Sequence, residues 1–333
     1  MAEQAGAGWR GCLARGLAWI PVAALMLWSV LAILLAGGSG QPGPVRIVLA
    51  LVYVAGCAFA IRRWKGWRAI GAVLAGIALV AVWFATISAS HDRDWPEEQS
   101  RLPWAEIDGP VVTLHDVRDF HYRTPDDRDA GWYDVVLDTR EIEGSDFFLV
   151  HFSEFKGIGH TMVSFRFPGD RFITVSVETR REVGEVYGPL MGLFKQYELM
   201  YVIGDERDVV QLRTNHRKSD VYRYPSKASK EQLATYFLDI CRRINELREK
   251  PAFYDTVTSN CTTNLIRHWE VAFGRTFPYD YRVLLPGYVD EIGVELGLID
   301  AGHDIEETRR LHYVSDLGRA VEEGKDFSLA IRR

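Results

Sequence analysis

The sequence predicts an α+β domain tied to a membrane by an N-terminal anchor of three transmembrane helices. Three patterns say so: three uncharged apolar runs in the first 90 residues, short β-rich stretches from 147 to 224, and helical periodicity after residue 230. Strands followed by runs of helices build an α+β domain rather than an alternating α/β one. The 333 residues suffice for the anchor and one globular domain, since domains usually hold roughly 100–200 residues.

The first apolar run is uncharged from Gly16 to Pro44, long enough for the about 20 residues that a crossing helix needs. The second, 47–61, is the weakest, because 15 residues between Arg46 and Arg62 reach only about 22 Å as a helix. The third, 69–87, has Trp83 and Phe84 near its end, as at a membrane interface. Spans are expected at about 17–37, 46–62 and 69–88. Arg10 and Arg15 precede the first span, and Arg62, Arg63, Lys65 and Arg68 lie between the second and third, against Arg46 alone between the first and second. The positive-inside rule therefore puts the N-terminus in the cytoplasm and everything after Ser90 outside. This localisation rests on an odd number of spans. A cleaved signal peptide is the competing reading of the first run, but it lacks a small-x-small site and two further apolar runs follow it.

Residues 1–90 carry one acid, Glu3, and seven bases, which leaves 44 acids and 32 bases after them. An acidic globular part without a basic cluster argues against nucleic acid as a partner. Cys12, Cys57, Cys241 and Cys261 show neither a disulfide framework nor a zinc spacing, and a Cys241–Cys261 bridge is the one pairing left open outside the cytoplasm.

Residues 91–110, with Pro96 and Pro103, read as an extended linker, and the domain is expected over 111–300. The stretches 147–152, 160–167, 172–178, 199–203, 209–212 and 221–224 are short, β-rich and bounded by turn residues, the pattern of a mostly antiparallel sheet. Over 230–248, Leu233, Phe237, Ile240, Cys241, Ile244 and Leu247 recur at helical spacing and Pro251 follows. A second helix is expected from about Asn260 to Gly274, then loop and a short helix to 300, and a charged tail from 301 to 333.

Cys261 lies in Ser-Asn-Cys-Thr-Thr-Asn at 259–264, where polar loop turns into apolar-periodic helix. A thiol there sits near free backbone N–H groups and the positive end of the helix dipole, which favours the nucleophilic thiolate. The alternative is a small buried cysteine, for which the polar neighbours make a poor pocket. Cys241, inside an apolar stripe, is a core residue. His160 opens a strand whose His160, Met162, Ser164 and Arg166 share one face, while Ile173, Val175 and Val177 of the next strand face in and Phe172, Thr174, Ser176 and Glu178 face out. Matching the apolar faces across the 168–170 turn pairs Phe167 with Arg171 and sets His160 opposite Glu178. Glu178 is then the orienter in a nucleophile–base–orienter set; an ion pair with Arg180 or Arg181 is the competing assignment. Asn260, Asn264 and the Cys261 N–H are oxyanion candidates, with Ser164 and Tyr197 as positioning groups. Tyr197, Glu198, Asp205, Glu206 and Arg207 are candidates for a wall of the site. His151 reads as a strand residue, and His216, His268 and His303 have no ligand spacing with one another, so neither a metal nor another cofactor is expected.

These blocks resemble the N-terminal periplasmic domain of the Lnb-type lipoprotein N-acyltransferase family, a permuted relative of papain-like thiol enzymes in which His precedes Cys. The resemblance spans about residues 110–290, through Gly-His-Thr-Met-Val-Ser-Phe at 159–165, Val-Glu-Thr-Arg-Arg-Glu at 177–182, Phe-Lys-Gln-Tyr-Glu-Leu at 194–199, Asp-Glu-Arg-Asp at 205–208 and Thr-Ser-Asn-Cys-Thr-Thr-Asn at 258–264. It implies His160 as base and Cys261 as nucleophile, a periplasmic domain on a bacterial inner membrane, a phospholipid as acyl donor and a lipoprotein or other amine as acceptor. The frame differs from that enzyme, since three spans precede the domain. A cell-envelope cysteine amidase or peptidase and a non-catalytic envelope scaffold are the alternative functions.

Overall fold

A computed structural model describes residues 2–38, 43–299, 304–322 and 325–333; His303 lies outside them. The chain divides into two compact units, residues 1–94 with 181–197, and residues 95–180 with 198–333.

The first unit holds α1 (Ala2–Leu35), α2 (Pro44–Arg63) and α3 (Trp67–Thr86). Stretches of 20 residues in each, beginning at Gly16, Pro44 and Trp67, are long and apolar enough to cross a membrane. The middle helix reaches that length because it starts on Pro44, a residue suited to a first turn, and runs on through Arg62 and Arg63, whose charges suit its C-terminal end. Val22, Cys57, Ile70, Val73 and Ile77 form one buried cluster, whereas Leu27, Leu51, Val52 and Leu79 stay exposed, as lipid-facing side chains do.

Residues 181–197 belong to this unit although they follow β-rich sequence. Phe194 packs in a cluster with Ala32, Ile33, Ala50 and Val80. Lys195 Nζ donates to the carbonyl oxygens of Phe84 and Ile87, each at 3.0 Å. A cation thereby sits at the carbonyl end of α3, where the helix dipole favours positive charge.

The second unit begins with α4 (Glu97–Ser100), β1 (Trp104–Asp108), β2 (Val111–Arg118), a small hairpin of β3 (His121–Tyr122) and β4 (Arg128–Asp129), then β5 (Trp132–Asp138) and β6 (Gly144–His151). There follow β7 (Gly159–Phe167), β8 (Arg171–Arg180), β9 (Glu198–Asp205), α5 (Glu206–Val209), a π-helical turn at Leu212–His216 and β10 (Asp220–Pro225). After the strands come α6 (Lys230–Glu249), α7 (Cys261–Phe273), α8 (Tyr281–Leu284), α9 (Val289–Glu295), α10 (Ile305–His312), α11 (Ser315–Arg319) and α12 (Phe327–Ala330). The main sheet runs β1-β2-β9-β8-β7-β6-β10, with β5 also on β2. Its pairs are antiparallel except a single parallel contact of Arg118 with Gly204.

The expected antiparallel sheet with packed helices is present, and Phe167 pairs with Arg171, the register derived from face matching. Helix α6 starts at a capping box of Ser229 and Gln232 and buries the expected stripe from Leu233 to Leu247. On that face Phe165 meets Tyr236 and Phe237 edge-on.

Three expectations need correction. The opposite sheet face, expected to point outward through Thr174 and Ser176, is covered, and both residues are fully buried. Residues 209–212, expected as a strand, are helical: Val209 and Val210 are β-branched but lie fully buried in a cluster with Phe148, Met162, Met200 and Val202, so packing overrides propensity. Finally, residues read as linker and charged tail are structured at both ends. Trp104–Asp108 is an edge strand on β2, and Val314, Phe327 and Ile331 seal the second sheet face. Their apolar side chains are too widely spaced among charges to show a periodicity.

Candidate active site

Cys261 is the first residue of α7, and the helix starts there because Asn260 caps it. The Asn260 side chain accepts the Thr263 N–H at 2.9 Å, and Thr263 Oγ1 accepts the Asn260 N–H at 2.8 Å. Those bonds satisfy two of the four unpaired N–H groups at the helix start, leaving those of Cys261 and Thr262 without an intrahelical acceptor. The sulfur is buried and lies 3.8 Å from Thr262 Oγ1, with His160 and Thr161 near enough to act on its charge. Cys261 and Cys241 are both free thiols, and both are buried.

His160 stands on β7 with its Nε2 2.7 Å from Ser176 Oγ and 3.3 Å from Glu178 Oε1. Ser176 Oγ donates to the same Glu178 oxygen at 2.6 Å, and Arg213 donates to it from the π-helical turn at 2.5 Å. The arginine is nearly buried and the Glu178 side chain is 27% exposed. Neither Arg180 nor Arg181 is the partner: Arg180 donates to the Gln99 carbonyl instead.

The charges follow from this packing. Burial opposes the His160 cation, but the Glu178 carboxylate and the Cys261 sulfur overcome it and raise the imidazole to about 9. Burial likewise works against the Glu178 carboxylate, yet His160 and Arg213 hold it well below its usual range. Cys261 is lowered, because His160 and the Thr161 bonds outweigh the effect of burial. Cys241 supplies the contrast, since burial without a partner pushes that thiol up. The arrangement favours a thiolate–imidazolium pair held by a carboxylate, the charge state of a nucleophilic cysteine site.

Other side chains singled out in the sequence are occupied elsewhere. Asn260 Nδ2 donates to the Thr256 carbonyl. Asn264 Nδ2 donates to Ser259 Oγ and the Asn260 carbonyl, and its oxygen accepts the Tyr201 hydroxyl. Both amides therefore hold α7 in place through bonds within the fold. Ser164 donates to Glu206, Tyr197 donates to the Val186 carbonyl, Asp205 accepts from Tyr133 and Arg207 pairs with Asp119. Asp205, Glu206 and Arg207 line a separate polar cleft with Tyr133 and Arg171. His268 joins a buried chain with Tyr201 at 2.8 Å and Asp239 at 2.7 Å, and His151 meets the Gly287 carbonyl. Among the described residues no group of three or more His, Cys, Asp and Glu side chains is placed to hold a metal.

The sequence reading missed Ser176 and Arg213 as parts of the site. Ser176 had a signal, being two residues from Glu178 on one strand face; Arg213 comes from a helical turn of irregular type and had none.

Residues 128–287 match the family model described as the Lnb N-terminal periplasmic domain, while no curated protein and no solved structure matches the chain. The match runs from β4 to the turn before α9 and takes in Thr161, His160, Ser176, Glu178, Arg213 and Cys261. Residues 128–287 are thus similar to the Lnb N-terminal periplasmic domain family, the family that the sequence blocks at 159–165 and 258–264 resemble.

Proposed function

We propose that the protein is a membrane-anchored thiol acyltransferase that takes an acyl chain from a phospholipid and passes it to an amine, such as a lipoprotein N-terminus. The observation that carries the reading is the Cys261–His160 pair at the start of α7, with Glu178 and Ser176 behind the imidazole. The family match and the three apolar helices support a membrane-anchored protein with a periplasmic domain. The proposed topology has three crossings and a cytoplasmic N-terminus.

In the first half-reaction the Cys261 thiolate attacks the ester carbonyl, and the Cys261 and Thr262 N–H groups receive the oxyanion. The C–S bond forms, the C–O bond breaks, and the His160 imidazolium gives its proton to the departing lysophospholipid. In the second, the amine attacks the thioester and neutral His160 takes its proton as the amide forms. The thiolate leaves, which restores the starting ion pair.

The test is intact-mass analysis of the detergent-solubilised protein after incubation with phospholipid, beside Cys261→Ser. A hydroxylamine-sensitive acyl adduct in the wild type alone is expected. No adduct on a Cys261 that still alkylates would overturn transfer from lipid and leave the amidase chemistry of the same pair.

A further inference from the structure

We infer that the apolar cavity beneath α7 is the acyl-chain subsite of the Cys261 centre, so that one hydrocarbon chain lies in it while its carbonyl carbon is at the sulfur. The inference rests on the acyl-transfer reading and adds to it the place and chemical class of the group that is held.

The cavity measures about 110 Å³, several times the space that one water needs, and it opens at a mouth. Phe147 and Val163 of the sheet, Leu265 and Trp269 of α7, and Phe277 and Ile299 beyond it supply most of the wall. Its link to the chemistry is a pair of threonines. Thr161 and Thr262 both line it, their hydroxyls are 3.2 Å apart, and Thr262 Oγ1 lies 3.8 Å from the Cys261 sulfur. The cavity therefore begins one side chain away from the nucleophile.

The lining also says what it excludes. It contains no carboxylate, amine, guanidinium or imidazole. Its two phenol groups are already engaged, Tyr224 with Asp290 at 2.9 Å and Tyr236 with the Leu265 carbonyl at 3.2 Å. A peptide or a sugar placed here would lose its hydrogen bonds to water and find few in return. A methylene chain loses nothing and gains burial, about fourfold in affinity for each CH₂ fully covered.

The experiment uses the full chain in detergent and alkyl methanethiosulfonates from methyl to octyl, with labelling of Cys261 followed by peptide mass. These reagents probe the thiol and its surroundings without acyl transfer. The octyl-to-methyl rate ratio is the readout. Ile266 and Leu298 are half-buried lining residues, and Ile266→Trp and Leu298→Trp each fill part of the space. Comparing variants with wild type in one detergent cancels the partition of long reagents into micelles. The expected result is an octyl-to-methyl ratio at least tenfold lower in a folded filling variant than in the wild type. An equal ratio in wild type and both variants overturns the subsite. Should the chain-length effect be present while phospholipid leaves no adduct, the subsite stands and acyl transfer from lipid falls; an adduct with no chain-length effect has the reverse meaning.

Discussion

His160 and Glu178 stand on neighbouring strands with Ser176 between them, one hydroxyl touching the imidazole at 2.7 Å and the carboxylate at 2.6 Å. The carboxylate thus holds the imidazole both through that hydroxyl and at 3.3 Å directly, while Arg213 fixes the carboxylate from behind. Each link has a separate measurable consequence.

Protonated His160 should limit activity on the alkaline side. The folded imidazole titrates at about 9 against roughly 6.5 when unfolded, so the stability it contributes is complete below 6.5 and is lost as pH rises through about 9. The lowered Cys261 has the opposite sign: its contribution is present above the unfolded thiol value and is lost as pH falls through the folded one. Thiolate alkylation by iodoacetamide should therefore persist below the normal thiol range, and turnover should show a basic limb near pH 9.

Replacing Glu178 by Gln removes the charge that raises His160. The basic limb should move down by about one unit or more, and the thiolate fraction at neutral pH should fall in an alkylation profile. Since Arg213 is nearly buried and would lose the charge that balances it, chemical denaturation should also register a loss of about 1–3 kcal/mol. An unchanged pH profile would remove Glu178 from the site.

How much of this was legible follows from periodicity. Alternation along β7 and β8 is enough to predict the Phe167–Arg171 pair, and that register carries His160 to the level of Glu178. The cap at Asn260 announces α7 and with it Cys261. Periodicity does not say which polar groups are already engaged, and so Asn260, Asn264 and Ser164 looked free in the sequence but are bonded within the fold. Nor does it show the second sheet face, whose cover comes from Val209, Val314, Phe327 and Ile331, residues separated by long polar intervals.

Asn260→Ala should cost about 1 kcal/mol of stability, the usual value of a lost N-cap. It should also loosen the first turn of α7, because the same side chain holds the Thr256 carbonyl. Faster hydrogen exchange at Thr262 and Thr263 together with slower Cys261 alkylation is the expected signature.

Gly287 admits no side chain. A Cβ there would lie 1.7 Å from the Lys156 carbonyl oxygen, and one on Gly159 would lie 2.8 Å from Gly287 Cα. Because Gly159 precedes His160, Gly287→Ala should displace the start of β7, costing about 1–3 kcal/mol by overpacking and lowering thiolate reactivity in the same alkylation assay.

Lys195→Met should expose a different weakness. It removes both bonds to the α3 carbonyls, so residues 182–194 should become more sensitive to protease in the solubilised protein. The thermal transition of the second unit should stay in place.

The closure of the sheet by residues late in the chain has a consequence for biosynthesis. A nascent chain that has emerged as far as residue 313 contains β1 to β10, yet Phe148, Met162 and Met200 still lack the Val314, Phe327 and Ile331 side chains that cover them. Glu206 and Asp146 also wait for Arg332, which bonds to both at 2.6 Å. Domains generally fold as units during synthesis, and here burial of one sheet face waits for residues 314–332, so truncation before Val314 should leave apolar strand surface exposed and prone to aggregate.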